Sequence, residues 1–241
     1  MIQKYTETKI LKTYQTDRHG NIRPVMLMNE LQAIADTHAE ILGRGRQFCV
    51  ANNIAWVVTH YLIEIIEPLR EGEKLEFSTW PSKHDGLKAA RDFEIKGADG
   101  RLMVRATSQW IMIDLETRRP MRLGDKLPHD WPATAERALD LPFEKFPDFT
   151  PETQNEFAIR YDDIDVNQHV NNAVYALWAT ESVPFDFHDS HRLSKLFINF
   201  KKEISANESI VVIESAIDNL ISRHKIITSG TENANVVCEW M

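Results

Sequence analysis

The sequence predicts an α+β fold of two tandem modules, each a long helix wrapped by an antiparallel β-sheet. Three observations predict it. Apolar residues recur at helical spacing before Gly43, strand-like segments separated by turn residues follow, and the same order of segments returns after residue 153. Hydrophobic residues make up 43% of the 241, so the chain can bury a core.

The first module is expected to begin with a strand at residues 9–14 and a turn at residues 17–21. Pro24 suits the first turn of a helix, and Gly43 is expected to end that helix. The apolar face of the helix carries Met28, Leu31, Ile34, Ala35, His38, Ile41 and Leu42. Strands are expected at 55–65, 74–80, 88–96 and 102–114, with a hairpin turn at residues 97–100.

The second module repeats this order with a strand reaching Tyr161, a helix from about Asn171, and strands at 196–201 and 209–216. Residues 63–73 and 198–208 match at a constant offset of 135, which favours an internal duplication. Pro68 then stands opposite Glu203. The second half has a polar residue at this position and the first half does not. We therefore expect one active site per chain, formed mainly by the second half.

The modules are expected to span residues 1–127 and 153–241, with a linker at 128–152. The linker is rich in proline and carries four bulky aromatic residues, so it is expected to pack across a surface. These residues are Pro128, Pro132, Pro142, Pro147 and Pro151, with Trp131, Phe143, Phe146 and Phe149.

Composition excludes several classes of protein. The net charge of −8 argues against nucleic-acid binding, and no apolar run is long enough to span a bilayer. Cys49 and Cys238 alone provide neither a disulfide framework nor a cysteine metal site. The N-terminus lacks a signal-peptide pattern, so we expect a cytoplasmic protein. No cofactor is expected. The nine histidines are scattered and are expected to be mostly solvated.

The sequence from Asp165 to Asn172 (Asp-Val-Asn-Gln-His-Val-Asn-Asn) carries the densest group of polar residues, between a strand pattern and a helix pattern. A strand-to-helix turn leaves N–H groups pointing outward, and these can stabilise a developing anion near Asp165 and His169. Hydrolysis of an ester or thioester is the chemistry that this combination favours. The alternative is simple helix capping, for which Asp and Asn are common, but the added histidine exceeds what capping needs.

The sequence around these residues resembles that of a known protein family. The pattern from Asp165 through Tyr175, Trp178 and Glu181 to Pro184 resembles the acyl-[acyl-carrier-protein] thioesterases of plants and bacteria. The first half is similar to that family at residues 56–59, 78–82, 91–92 and 117–119. The resemblance covers about residues 5 to 215.

The resemblance implies a double hotdog fold and release of a fatty acid from the phosphopantetheine thioester of acyl carrier protein. It implies four catalytic residues, Asp165, Asn167, His169 and Glu203. Plant members usually have a cysteine directly after that glutamate, but here the residue is Ile204, so a mechanism with a thiolate at that position is unavailable. A bacterial enzyme is expected. We expect Glu203 and His169 to deprotonate a water, while Asp165 orients the cluster or attacks the carbonyl directly.

Further roles are expected for three sets of residues. Backbone N–H groups of Val170 and Asn171 are candidates to hold the oxyanion, beside Asn167. The resemblance implies that the first half lines an acyl tunnel, with candidates Met28, Leu31, His38 and Trp56. A basic cluster for docking the carrier protein is expected at Arg118, Arg119, Arg122 and Lys126. Tyr175 and Trp178 are expected to pack in the core.

Three matters stay open from the sequence. The substrate could instead be an acyl-CoA, or the chain could be a non-catalytic hotdog protein that binds acyl groups or CoA. A homodimer is equally left open. No nucleic acid or membrane is expected as a partner.

Overall fold

The computed structural model describes residues 4–127, 131–139 and 146–241, which form two compact units. The first unit contains the described residues of Met1–Arg23 and Asn29–Pro142, and the second those of Pro24–Met28 and Phe143–Met241. Three linker residues of the sequence analysis, Pro128, Pro142 and Phe143, lie outside the described residues. Across the described ranges, no helix is long and apolar enough to cross a membrane.

The first unit is a five-stranded antiparallel sheet with a long helix. Its strands are β1 (Tyr5–Ile10), β2 (Ile54–Ile65), β3 (Lys74–His84), β4 (Lys88–Gly97) and β5 (Leu102–Asp114), and β6 (Pro120–Met121) pairs with β5. The strand order is β1-β3-β4-β5-β2. Its helices are α1 (Pro24–Ile41), of which residues 24–28 belong to the second unit, and α2 (Arg46–Ala51). Short 3-10 helices lie at Thr13–Gln15 and Leu123–Asp125.

Helix α1 follows the sequence signals closely. Pro24 occupies its first turn, and Gly43 follows its end with a φ of +67°, a conformation that glycine adopts without strain. Leu31, Ile34 and Ala35 on the predicted apolar face are buried. Sequence periodicity therefore predicted the helix and most of the face that it buries, although Ile41 on that face is 49% exposed.

The strand predicted at residues 9–14 is correct only at its first two residues, and β1 begins earlier, at Tyr5. Strand β1 ends at Ile10, and a 3-10 turn follows. The side chain of Gln15 accepts a hydrogen bond of 2.9 Å from the backbone N–H of Lys12, and the backbone N–H of Gln15 donates to the Lys12 carbonyl at 2.9 Å. This local pair of bonds closes the chain into a turn at a place where alternation alone favours a strand.

The second unit has the same architecture. Its strands are β7 (Thr153–Ala158), β8 (Leu193–Phe200), β9 (Ile210–Asp218), β10 (Ile221–Thr228) and β11 (Thr231–Trp240), in the order β7-β9-β10-β11-β8. A 3-10 helix at Tyr161–Asp163 precedes α3 (Asn172–Glu181), and α4 (Phe185–Ser190) follows it. Tyr175 and Trp178 of α3 are each only 2% exposed, which confirms that they pack in the core.

The two units repeat one topology, because β7 to β11 occupy the positions that β1 to β5 occupy in the first sheet. The backbone bridges agree. In the first unit Asn21 bridges to Arg70, and in the second His169 bridges to Ser205. Arg70 and Ser205 are 135 positions apart, the offset that the sequence comparison predicts. Asn21 is therefore the first-unit counterpart of His169.

The described parts of the predicted linker pack on their own units. Trp131 packs with Trp56 against a buried cluster around Ile54 and Met112 in the first unit. In the second unit the Phe146 ring stacks on Phe197 with centroids 4.4 Å apart. These contacts agree with a linker that lies across a surface. The module limits at residues 127 and 153 stay a prediction.

The prediction that the histidines are mostly solvated is wrong. Among the histidine side chains that the structure describes, only His19 is exposed, and His38 and His224 are fully buried. His224 bonds Ser215 Oγ through Nδ1 at 2.8 Å and Ser222 Oγ through Nε2 at 2.9 Å. Burial lowers the pKa of His224 to about 3, so the ring is neutral near pH 7.

Candidate active site in the second unit

The polar motif forms a tight turn between the 3-10 helix at Tyr161–Asp163 and α3. The backbone N–H of Asp165 donates to the His169 carbonyl at 2.7 Å, and that of Gln168 donates to the Asp165 carbonyl at 3.0 Å. Gln168 takes a left-handed φ of +64°, which closes the loop. The turn thus presents the side chains of residues 165 to 169 at the start of the helix.

The carboxylate of Asp165 holds this turn together. Its Oδ1 accepts hydrogen bonds from the backbone N–H of Asn167 at 2.8 Å and from that of His169 at 3.2 Å. Its Oδ2 accepts a longer bond of 3.3 Å from the Asn167 side-chain amide. The Asp165 side chain is therefore engaged chiefly in orienting its neighbours.

The chain after β8 is joined to this turn by backbone hydrogen bonds, and this brings Glu203 to the motif. Val170 N–H donates to the Ile204 carbonyl at 2.9 Å, and Ala206 N–H donates to the Gln168 carbonyl at 3.1 Å. As a result, Glu203 Oε2 lies 3.6 Å from His169 Nε2, and both side chains are about one-third exposed. That distance is longer than a direct hydrogen bond, and a water could bridge the two groups.

The predicted oxyanion donors do not fit these contacts. The N–H of Val170 is bonded to Ile204, and the N–H of Asn171 donates to the Asp163 carbonyl at 2.8 Å. Asn171 instead caps α3, because its Oδ1 accepts from the backbone N–H of Ala173 at 2.9 Å. Neither backbone group is left for an oxyanion in this arrangement.

The first unit contains the same turn but not the pair that His169 and Glu203 form in the second unit. Asp17 Oδ1 accepts from the backbone N–H of His19 at 2.8 Å and from that of Asn21 at 3.0 Å, as Asp165 does two and four residues ahead. The sequence analysis did not identify Asp17 as the counterpart of Asp165, although the shared spacing was a signal for it. An aspartate thus builds the turn in both units, whereas Asn21 stands in the first unit at the place of His169.

The first unit carries a cavity of about 70 Å³. Of the four predicted tunnel residues, Trp56 lines it; Met28, Leu31 and His38 are buried and are not among its lining residues. His38 instead supports a lining residue, because its Nδ1 lies 3.2 Å from Nη1 of Arg91. Burial lowers the pKa of Arg91 to about 10, so its guanidinium stays charged near pH 7. The sequence analysis did not identify Trp110 and Trp131, which also line the cavity.

The predicted docking cluster lies on the loop that carries β6. Arg118, Arg119 and Arg122 are exposed and Lys126 is half-buried. Three acidic residues, Asp114, Glu116 and Asp125, belong to the same stretch of chain and reduce its net positive charge. The role of the cluster stays a prediction. In the described part of the chain, no group of three His, Cys, Asp or Glu side chains is placed to hold a metal ion.

Comparison with models of known protein families identifies the family of the chain. Residues 2–129 match the model of the acyl-ACP thioesterase N-terminal domain, and residues 148–241 match that of the C-terminal domain. The chain belongs to the acyl-ACP thioesterase family. The turn at Asp165 and Glu203 both lie in the region that matches the C-terminal domain.

Individual acyl-ACP thioesterases resemble the chain over nearly its whole length. It is 24% identical to the chloroplastic oleoyl-acyl carrier protein thioesterase 1 of Arabidopsis thaliana, over 96% of this chain and 69% of the relative. It is 28% identical to the chloroplastic palmitoyl-acyl carrier protein thioesterase of Gossypium hirsutum, over 98% of this chain. The chain spans 58% of that cotton relative, less than two thirds of its length.

Solved structures of acyl-ACP thioesterases share the fold. The enzyme from Bacteroides thetaiotaomicron superimposes with a TM-score of 0.89 at 22% identity, covering 99% of this chain and 98% of its own. The 12:0-ACP thioesterase of Umbellularia californica also gives 0.89, at 21% identity and with 99% and 97% covered. The predicted double hotdog fold is thereby confirmed.

Proposed function

We propose that this chain hydrolyses the thioester of a fatty acyl-acyl carrier protein and releases a free fatty acid and the carrier thiol. The observation that carries the proposal is the approach of Glu203 to His169, at 3.6 Å, across two segments distant in sequence. A carboxylate and an imidazole at this distance can share a water and take a proton from it. Membership of the acyl-ACP thioesterase family supports the same reaction.

In the proposed mechanism, Glu203 and His169 hold a water between them. The water oxygen attacks the thioester carbonyl carbon, and its proton passes to the Glu203–His169 pair. The tetrahedral intermediate then collapses, the carbon–sulfur bond breaks, and the proton is returned to the leaving sulfur. No cofactor takes part, because acid–base transfer is sufficient for hydrolysis.

Asn167 and Asp165 have supporting roles in this mechanism. The amide of Asn167 is exposed, and one of its two N–H groups is bound to Asp165 Oδ2 at 3.3 Å. The second N–H is available to donate to the developing oxyanion, and loss of such a donor typically lowers turnover by about 10²–10³. Asp165 orients the turn, so water activation is favoured over direct attack by its carboxylate.

A panel of thioesters tests the proposed substrate. Acyl-carrier-protein and acyl-CoA thioesters with matched acyl groups are compared by the rate of thiol release. We expect a higher kcat/KM for the carrier-protein series. A higher kcat/KM for the CoA series would identify an acyl-CoA thioesterase. Tight binding without release from either series would identify a non-catalytic binding protein.

Glu203→Gln tests the proposed mechanism and is nearly isosteric with the native residue. We expect turnover to fall by about 10²–10⁴, the usual contribution of a positioned base. Glu208→Gln is a matched control, since Glu208 lies on the same loop and its Oε2 accepts from Ser229 Oγ at 2.8 Å, away from the imidazole. Equal kcat values for the two folded variants would contradict the role of Glu203.

The proposed setting is fatty acid biosynthesis in a bacterial cytoplasm, with acyl carrier protein as the macromolecular partner. The plant relatives named above are chloroplastic. For docking, the exposed Arg118, Arg119 and Arg122 offer positive charge to an acidic carrier. Both the location and the oligomeric state stay predictions. Fractionation of the source cells tests the location, and light scattering tests the oligomeric state.

A further inference from the structure

Strand β11 contains a β-bulge close to the end of β8. Ile226 of β10 lies opposite Ala234, and Ile227 lies opposite Glu232, so Asn233 is an additional residue in β11. A bulge interrupts the regular pairing of a strand and changes the direction of the residue that it contains, and bulges are common beside active sites. The contacts of Asn233 therefore show what this bulge does.

Asn233 holds the chain that leads from β8 to Glu203. Its backbone carbonyl accepts from the backbone N–H groups of Lys201 at 2.8 Å and of Lys202 at 3.1 Å. Its side-chain Nδ2 donates to the Lys202 carbonyl at 3.3 Å. Its Oδ1 accepts from the backbone N–H and the hydroxyl of Thr228, at 2.9 and 3.0 Å. Asn233 is only 1% exposed, and these bonds offset the cost of burying its amide.

These bonds hold Glu203 from both sides. The Lys202 carbonyl belongs to the planar peptide group that joins Lys202 to Glu203, so a bond to this carbonyl restricts the direction in which the Glu203 side chain leaves the backbone. On the other side, the Ile204 carbonyl accepts a backbone hydrogen bond from the turn that carries His169. The carboxylate 3.6 Å from the imidazole is thus placed by Asn233 and by that turn together.

The first unit has the same bulge with a different side chain. The register of β4 and β5 skips Met103, which is the additional residue of β5 and is 3% exposed. The Met103 carbonyl accepts from the backbone N–H groups of Ile66 at 2.8 Å and of Glu67 at 3.0 Å. These two residues stand 135 positions before Lys201 and Lys202. The backbone arrangement is therefore equivalent in the two units.

The comparison separates what the fold needs from what the site needs. The bulge forms in both units, so an apolar side chain is sufficient for it. The amide stands at the bulge of the unit that has Glu203, where the other unit has Pro68. We propose that Asn233 is a positioning residue, and that its amide holds the peptide group before Glu203 so that the carboxylate faces His169. The inference rests on the proposed function, because it requires Glu203 to take part in the reaction.

Asn233→Met tests the proposal, since it introduces the side chain that the first unit has at the equivalent bulge. Thiol release from an acyl-carrier-protein thioester gives kcat and KM for the native enzyme and the variant. We expect kcat to fall by about 10- to 100-fold, because a displacement of about 1 Å in a catalytic group can cost about 10²-fold. KM should be unchanged, since a residue that is 1% exposed does not contact the substrate.

A double-mutant cycle tests whether Asn233 acts through Glu203. Glu203→Gln removes the proposed base, so adding Asn233→Met to it should lower kcat further by less than about twofold. A merely structural defect would lower kcat by the same factor in both backgrounds.

Asn235→Met is the matched control, because it makes the same change two residues farther along β11. Asn235 is 6% exposed, and its Nδ2 donates to Glu232 Oε1 at 2.6 Å. Glu232 keeps its ion pair with Lys201 in this variant. The control should lose stability to urea and keep the native kcat.

A folded Asn233→Met enzyme with native kcat would overturn the inference. So would an equal loss of kcat in the native and Glu203→Gln backgrounds, or an equal loss with Asn235→Met. If Asn233→Met does not fold, Asn233→Ser decides with the same outcomes, since serine keeps a hydroxyl that can accept from Thr228 but is too short to reach the Lys202 carbonyl. A native enzyme that releases no thiol from any substrate would instead refute the proposed function.

Discussion

Asp165→Asn and Asp17→Asn together test whether Asp165 attacks the substrate or only holds its turn. The two aspartates make equivalent pairs of bonds to backbone N–H groups two and four residues ahead. An asparagine keeps an oxygen that can accept both bonds, but it cannot act as a carboxylate nucleophile. Asp17 lies in the turn where Asn21 takes the place of His169, and so supplies an internal control.

The expected magnitudes follow from these contacts. A hydrogen bond to a charged acceptor contributes about 1.5–3 kcal/mol, and one to a neutral acceptor about 0.5–1.5 kcal/mol. Two bonds from backbone N–H groups are weakened in each variant, and Asp165→Asn also affects the longer bond of 3.3 Å from the Asn167 amide. Both turns are partly exposed to water. Each variant should therefore lose about 1–2 kcal/mol of unfolding free energy. Because His169 and Glu203 are unchanged, turnover by Asp165→Asn should fall less than about tenfold.

Urea unfolding gives the stability of each variant, and thiol release under saturating substrate gives the turnover rate. Parallel losses of stability with nearly native turnover are the expected result. The positioning role would be refuted if folded Asp165→Asn turned over about a thousandfold more slowly while Asp17→Asn kept its native rate, because a loss of about 10²–10⁴ is typical of a missing catalytic acid or base. Direct attack by the Asp165 carboxylate would then be favoured.

Three further predictions concern docking, pH and packing. Arg118→Glu combined with Arg122→Glu should raise KM for the carrier-protein substrate and leave KM for acyl-CoA unchanged; equal KM values for native and variant enzyme would place docking elsewhere. His224 has a folded pKa of about 3 against an ordinary value of 6.5, so the unfolded chain binds a proton first as the pH falls. The free energy of unfolding should therefore decrease as the pH falls from 6.5 toward 3, by up to about 1.4 kcal/mol per pH unit. His224→Gln should flatten this slope in urea titrations. Arg137→Met should lower the unfolding free energy by about 3 kcal/mol, because it leaves the buried Asp92 carboxylate unpaired; an unchanged urea midpoint would contradict that ion pair.

The sequence alone was sufficient for the elements that have long periodic patterns. Helix α1 and strand β5 lie close to their predicted limits, because apolar periodicity records which face is buried. The sequence also predicted the 135-residue offset between the halves. The structure agrees, because Arg70 and Ser205 occupy equivalent bridges. After Ala216 the sequence analysis assigned no element, yet β10 and β11 complete the second sheet. β10 pairs with its sequence neighbours β9 and β11 through tight turns at Asn219 and at Ser229, both with left-handed φ, and of these two strands only β11 also pairs with the distant β8.

Tertiary structure decided the chemistry of individual groups. The motif at Asp165 predicted a polar turn before a helix, but only its hydrogen bonds show that the N–H groups of Val170 and Asn171 are engaged elsewhere. Local spacing records which residues can meet within a turn, whereas the position of Glu203 depends on pairing between two separate segments. Burial of His224 and the placement of Trp131 beside the cavity likewise depend on packing across a sheet, which one sequence does not encode in any local pattern.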